Sequence, residues 1–299
     1  MPTPSSPLPS FGVVILTMGR RPDELNRGIE SVLAQTGVKL DVVVVGNEWD
    51  PVGLPTGIKA VHLPKNIGIP GGRNAGVDHV TGEFIFFLDD DSWLLEPDLL
   101  ATFARMFRDD PGLGLIQPRI VDPDHRGKEP RRWTPRIRKG NPADSSHVFA
   151  IAETAVALPR SVFEAAGRWP EKFFYAHEGI ELAWRVWDRM CRVWYEGSLE
   201  AGHPIVHPAR HDDYLFKNAR NRIWLARRCL PWPISWAYVC SWTGIQLIRW
   251  RREPRTLLKW FKGWRAGFTT PPWDPGKRPK KLSWRTILRM ARYGRLVLV

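Results

Sequence analysis

Cysteine is scarce in this chain, and acids are scarce toward its end; each shortage argues against a class of protein. Only three cysteines occur, Cys191, Cys229 and Cys240, an odd number without metal-ligand spacing. They speak against a disulfide framework and a structural zinc, and for a reducing compartment. MPTPSSPLPS has neither a charged n-region nor an apolar h-region, so it is not read as a secretory signal, and residues 1–10 are expected to form a disordered leader. Internal repeats are absent. Neither a Walker loop nor G-x-G-x-x-G occurs, which argues against a P-loop kinase or a Rossmann dehydrogenase. From Lys217 to the end only two acids remain, Glu253 and Asp274, against 20 Lys and Arg.

What is present is ordinary in bulk. The 299 residues are 43% hydrophobic and 25% charged, the composition of one folded domain with room for an accessory segment. The charge is uneven. The stretch from Lys217 balances at +18, which leaves −5 on the first 216 residues within the net +13. That stretch also carries nine of the 16 tryptophans. A basic, Trp-rich tail on a slightly acidic body calls for an anionic partner, either nucleic acid or an anionic lipid surface.

Phe11–Thr17 (FGVVILT) and Leu40–Val45 (LDVVVV) are short apolar runs rich in β-branched residues, the pattern of buried strands. Between them Pro22 opens a helix with Leu25, Ile29, Val32 and Leu33 at helical spacing, stopped by Gly37. Asn66–Gly76 reads as a Gly-rich turn leading into a helix. Glu83–Leu88 reads as a third strand running into Asp89, Asp90 and Asp91, and Glu96–Phe107 as the next helix. Residues 122–147, rich in Pro, Arg and Gly, read as a long loop, followed by a strand-like Val148–Leu158 and a helical Ile180–Trp187. Strands alternating with helices predict a doubly wound, mostly parallel α/β sheet. Ligands bind beyond the carboxyl ends of such strands, where Thr17, Asn47 and Asp89–Asp91 fall.

Two motifs carry chemistry. In LDDDS (88–92), three carboxylates at a strand end repel one another unless a cation neutralises them. The Asp89-x-Asp91 spacing suits Mg2+ or Mn2+ holding a diphosphate, with a solvated acidic turn as the plainer alternative. In NIGIPGGRNAG (66–76), glycines let a ligand approach the backbone, and Arg73 beside Asn74 offers a phosphate partner. A plain tight turn reads nearly as well there.

The order of these pieces (ILT, a helix, VVVVGN, NIGIPGGRNAG, FIFFLDDDS and then AHEGIELAWR) resembles family 2 glycosyltransferases of the GT-A fold, from about Phe11 to about Arg227. A looser likeness points to envelope-glycan relatives of actinobacterial type. The resemblance implies a GT-A catalytic domain over 11–227, with a donor half at about 11–121 and an acceptor half at about 148–227. It also implies a single-displacement, inverting transfer from a nucleotide-diphosphate sugar donor, with Mn2+ or Mg2+ as cofactor. Thr17, Arg20, Asn47, Gly68, Arg73, Asn74, Asp89 and Asp90 would bind the donor. Asp89, Asp91 and His203 would hold the metal, His203 being the best placed of His203, His207 and His211.

Inversion needs a base for the acceptor hydroxyl. The family draws it from a Glu-Asp-x-Asp/Glu-Leu stretch, which here reads Glu178-Gly179-Ile180-Glu181-Leu182. Gly179 stands where a family Asp often acts. Glu178 is therefore the first catalytic candidate and His177 the second, while Glu181 more naturally orients a neighbour or pairs Arg185. Gly46 likewise replaces an acid that commonly bonds the nucleobase, which leaves the base open.

Cys229–Ile248 runs 20 residues without a charge between Arg227–Arg228 and Arg249–Arg252. The length could span a bilayer, but two prolines and interspersed Ser, Thr, Gln and Trp suit an interfacial or re-entrant helix better. Residues 228–299 are thus expected to form a basic, Trp-rich helical tail, with amphipathic pieces at 255–268 and 284–298, docking on an anionic membrane surface. A soluble helix packed on the catalytic domain is the competing reading. The expected protein is cytoplasmic, peripheral or monotopic at the inner face of the plasma membrane, and acts on a glycan or lipid-linked acceptor, not on nucleic acid. A nucleic-acid-binding protein would explain the tail but leaves the Asp run without a role. A catalytically inactive donor-binding subunit would explain Gly179.

Overall fold

A computed structural model of the chain describes residues 7–136, 140–205 and 213–293. Its apolar runs become the strands that carry the site. β1 (Ser10–Thr17), β2 (Lys39–Asn47), β3 (Lys59–Leu63) and β4 (Phe84–Asp89) lie in the order β3-β2-β1-β4, all parallel. Beyond them come β5 (Trp93–Leu94), β6 (Leu113–Val121), β7 (Ser146–His147), β8 (Ala155–Pro159) and β9 (Arg192–Gly202). The sheet continues β4-β8-β6-β9-β5, with β7 on β9. It is mixed there: β8 runs antiparallel to both β4 and β6, while β6 and β9 are parallel.

Helices cover both faces. They are α1 (Pro22–Leu33), α2 (Gly68–Val77), α3 (Leu99–Asp109), α4 (Arg160–Ala166), α5 (Glu178–Asp188), α6 (Tyr214–Cys229), α7 (Trp232–Trp250), α8 (Pro254–Thr269) and α9 (Trp284–Arg292). Alternate residues of a strand point to opposite faces. Val13, Ile15, Val44 and Phe86 accordingly pack with Leu25, Ile29 and Phe103 of α1 and α3. Val14, Val45, Ile85 and Phe87 pack on the other side with α2, α4, α5 and part of the C-terminal helices.

The Gly-rich segment is the helix α2 itself rather than a turn before one. A Cβ at Gly72 would lie 2.3 Å from the Leu16 side chain, and one at Gly76 would lie 2.5 Å from Val14. These glycines therefore let α2 sit close on β1. They do not open the backbone to a ligand.

The C-terminal helices are largely packed. Gly263 and Gly267 bring α8 against α6, where added Cβ atoms would lie 2.1 Å from the Phe216 carbonyl and 2.5 Å from the Ile223 side chain. Leu282 N–H donates to the Cys229 carbonyl at 2.7 Å, and Thr286 Oγ1 to Asp188 at 2.6 Å. Trp224 and Trp260 are buried, whereas Trp232, Trp236 and Trp284 are exposed. Among the described residues no helix is long and apolar enough to cross a membrane.

Candidate active site

The carboxyl ends of β1, β2 and β4 open into a cleft of about 800 Å3. Thr17, Arg20, Asn47, Gly68, Asp89, Asp90, Asp91 and His203 line it; Arg73, Asn74, His177, Glu178 and Glu181 do not. Each aspartate of the run has its own partner. Asp89 accepts Arg73 Nη2 at 2.6 Å, and Asp90 accepts Thr17 Oγ1 at 2.7 Å. Asp91 is buried between Arg21, which bonds it directly, and His203, whose Nε2 lies 3.2 Å away. Arg21, immediately before α1, also lies 3.5 Å from Asp90. Sequence reasoning picked the neighbouring Arg20 and missed it.

His203 is oriented from behind. Its backbone N–H donates to Val121 O at 2.9 Å, its Nδ1 lies 2.6 Å from Pro204 O, and its ring meets Trp133 edge-on. A carbonyl accepts only, so Nδ1 carries a proton, and this bond turns Nε2 toward Asp91. One ligand atom each from Asp89, Asp91 and His203 lie within 4.8 Å of one another. Two hard carboxylates and an imidazole fit Mn2+ or Mg2+, and the nitrogen favours the former. His207 and His211 lie outside the described residues.

Asn47, at the cleft edge, also holds the chain that follows β3. It donates to Asn66 Oδ1 at 3.0 Å and accepts Ile67 N–H at 2.9 Å, pinning the entry to α2. Gly68 follows at φ +82°, where a side chain would meet Phe174 backbone atoms at 2.5 Å. Gly46 leaves no room for the acid that the family resemblance places there, because a Cβ would lie 1.9 Å from Trp49 O. Arg73 and Asn74 are buried and do not line the cleft. Arg73, 2% exposed, is held by Asp89 and by Glu153, to whose carbonyl it donates at 2.9 Å, and it lies over the Trp169 ring. Asn74 bonds Trp169 O and Glu171 at 2.9 Å each.

None of the three acid–base candidates near α5 lines the cleft. Glu178 is 1% exposed, and burial plus the adjacent Glu153 carboxylate push its pKa well above the usual range. His177, in a left-handed conformation, bonds Asn218 O at 3.1 Å; burial and then Arg222 push its pKa well down. Glu181 accepts Arg228 Nε at 2.9 and 2.7 Å and lies 3.4 Å from Arg185. Glu153, which sequence reasoning did not single out, accepts the Gly179 N–H at 2.6 Å and lies 3.3 Å from Arg73. Its only sequence signal is a lone acid inside the apolar run read as a strand.

Aromatics form the far wall. Trp133, Phe174, Tyr175 and Tyr214 line it with Arg132 and Lys217. Phe174, Ala176 and His177 all have positive φ, at 65°, 74° and 72°. Buried Asn221 of α6 holds this segment by bonds to Phe173, Tyr175 and Ala176 carbonyls at 3.0, 2.7 and 2.9 Å. Strained non-glycine backbone of this kind concentrates where ligands are clamped.

Known proteins share the fold that carries this cleft. The family described as Glycosyl transferase family 2 matches residues 13–167. A Pre-mycofactocin glycosyltransferase of Mycobacterium tuberculosis is 26% identical over 234 residues, which cover 72% of this chain and 47% of that protein. The chain thus spans about half the length of the curated relatives it matches. Among solved structures, the mannosyltransferase PcManGT from Pyrobaculum calidifontis in complex with GDP-Man and Mn2+ is similar at TM-score 0.57 and 16% identity, over 98% of this chain and 82% of that one. The 1–349 fragment of S. aureus TarS in complex with UDP-GlcNAc gives 0.59 and 12%, over 86% and 81%. GalNAc-T7 with UDP, GalNAc and Mn2+ gives 0.58 and 16%, over 78% and 50%. At these identities the likeness concerns the fold, which is that of the GT-A glycosyltransferases.

Proposed function

The chain belongs to glycosyl transferase family 2, and from that premise we propose an inverting transfer of a sugar from a nucleotide-diphosphate donor to a hydroxyl of a glycan or lipid-linked acceptor. The observation that carries this reading is the convergence of Asp89, Asp91 and His203 on the cleft floor, beyond the carboxyl end of β4. Those three residues would hold Mn2+ or Mg2+, which supplies charge neutralisation for the donor diphosphate. Thr17 fixes the Asp90 carboxylate, and Arg20, Arg132 and Lys217 line the same space as cationic partners for phosphate oxygens. The aromatic wall of Phe174, Tyr175 and Tyr214 offers flat apolar faces to an acceptor sugar. On this reading 11–121 is the donor half and 148–227 the acceptor half.

A thermal-shift panel of UDP-, dTDP- and GDP-sugars with and without Mn2+ tests the reading. A donor at 100 Kd should stabilise the protein by about 2.7 kcal/mol, and only when the metal is present. Absence of a shift with every donor, metal included, would count against donor binding.

The tail supports membrane apposition in part. Trp232, Trp236, Leu247 and Ile248 of α7 and Leu258 and Phe261 of α8 are exposed, next to Arg249, Arg251 and Arg252. Exposed Trp and basic residues suit a helix lying in the headgroup region of the inner face of the plasma membrane. The full chain should co-sediment with anionic vesicles, and salt should release only part of it. Trp232→Ala with Trp236→Ala should lower the salt-resistant part. Equal binding to neutral vesicles would remove the electrostatic contribution, and no binding to either would remove the membrane reading.

A further inference from the structure

The α5 segment lacks an acid at Gly179, yet the space is not empty of carboxylate. An ideal Cβ at Gly179 would lie 2.4 Å from Glu153 Oε1, 2.5 Å from its Cγ and 2.7 Å from its Cδ. The Glu153 side chain, delivered from the stretch just before β8, thus occupies the volume that an Asp at 179 would fill. The Gly179 N–H fixes it at 2.6 Å, and Arg73 links it to Asp89, lying 3.3 Å from Glu153 and 2.6 Å from Asp89. One guanidinium therefore separates this carboxylate from a metal-site aspartate. Asp89 N–H also donates to Thr154 O at 2.9 Å, which ties the two backbones together. About a fifth of the Glu153 side chain is exposed, whereas Glu178 beside it is sealed.

We propose that Glu153 is the general base of the transfer, a carboxylate supplied from a different element in place of the acid missing at Gly179. The proposal rests on the inverting reading above. As the acceptor oxygen forms its bond to the anomeric carbon, its proton passes to the Glu153 carboxylate. The carbon–oxygen bond to the diphosphate breaks, and its electron pair leaves with the nucleoside diphosphate. Buried Glu178 lies beside Glu153, its pKa pushed well above the usual range by burial and then by that carboxylate. Burial pushes the Glu153 pKa up, while the Arg73 guanidinium and the Gly179 N–H oppose the rise.

The test uses the full chain. Glu153→Gln preserves shape and an oxygen for the Gly179 N–H. It should lower kcat by roughly 10²–10⁴-fold while leaving the Mn2+-dependent donor shift and donor Kd unchanged. Transfer recovered in the Glu153→Gly/Gly179→Asp double variant, but in neither single variant, would mark a base moved back to α5, an effect a purely structural residue does not give. The wild-type product's anomeric configuration separates the two levels: retention overturns the inverting reading itself. With inversion established, a Glu153→Gln enzyme that turns over at the wild-type rate overturns the role of Glu153. So does a variant that loses donor binding in parallel with kcat.

Discussion

Asp91→Asn should leave the protein folded and remove transfer, lowering kcat/KM by at least roughly 10²–10³-fold. Asp91 is 3% exposed and faces both Arg21 and His203. Asn keeps the volume and one acceptor oxygen but loses the charge, and its amide group turns a donor toward one of two cationic or donor partners. That mismatch costs about 1–3 kcal/mol, tolerable for a chain of this size. The metal site suffers more, because it loses one of only two anionic ligands. The Mn2+-dependent donor shift should vanish with the activity, and excess chelator should bring the wild type to the same state. If the variant retained full turnover in excess chelator, Asp91 would have no part in holding a metal.

How far the sequence was legible depended on whether a residue's role is set locally. β1, β2 and β4 were readable because a parallel strand covered on both faces must be a continuous apolar run, as Phe11–Thr17 is. β6 (LGLIQPRIV) and β9 (RVWYEGSLEAG) hide behind Gly114, Pro118 and Gly197, and their mutual register shifts at Leu113/Leu115 and Pro118/Arg119. β3, five residues at the sheet edge, offers too short a pattern. At the site, the Asp run and His203 were visible because their chemistry declares itself at a strand end. Both Arg20 and Arg21 line the cleft, and only the entry of the chain into α1 decides that Arg21 is the one bonded to Asp91. Glu153 had no local signal, because its meaning lies in a glycine 26 residues away. The tail's tryptophans were countable, but composition cannot separate Trp260, packed in the interior, from Trp232 on the surface.

Glu181→Ala should lower the melting temperature by roughly 6–10 °C and leave the kcat of the folded enzyme near the wild-type value. Glu181 is 2% exposed and faces two arginines that are themselves mostly buried, Arg185 and Arg228. Arg185 also donates to the Arg228 carbonyl at 3.1 Å and to the Lys280 carbonyl, and Arg228 to the Pro272 carbonyl. One carboxylate thus neutralises the junction of α5, the end of α6 and the 270–282 connection. Removing it leaves two cations facing each other in a poorly solvated space, and breaking a buried pair in this way costs about 3–5 kcal/mol. In a chain of this size each kcal/mol shifts the transition by roughly 2 °C, which gives the expected fall. The same argument predicts partial recovery when Arg228→Met is added, since the unpaired charge is then replaced by an apolar chain. Calorimetry and steady-state rates, measured well below both transitions, separate this role from a catalytic one. A base would show the opposite pattern, an unchanged melting temperature with kcat down by roughly 10²–10⁴-fold. The position of Glu181 away from the cleft and its saturation by guanidinium groups make the structural pattern the expected one.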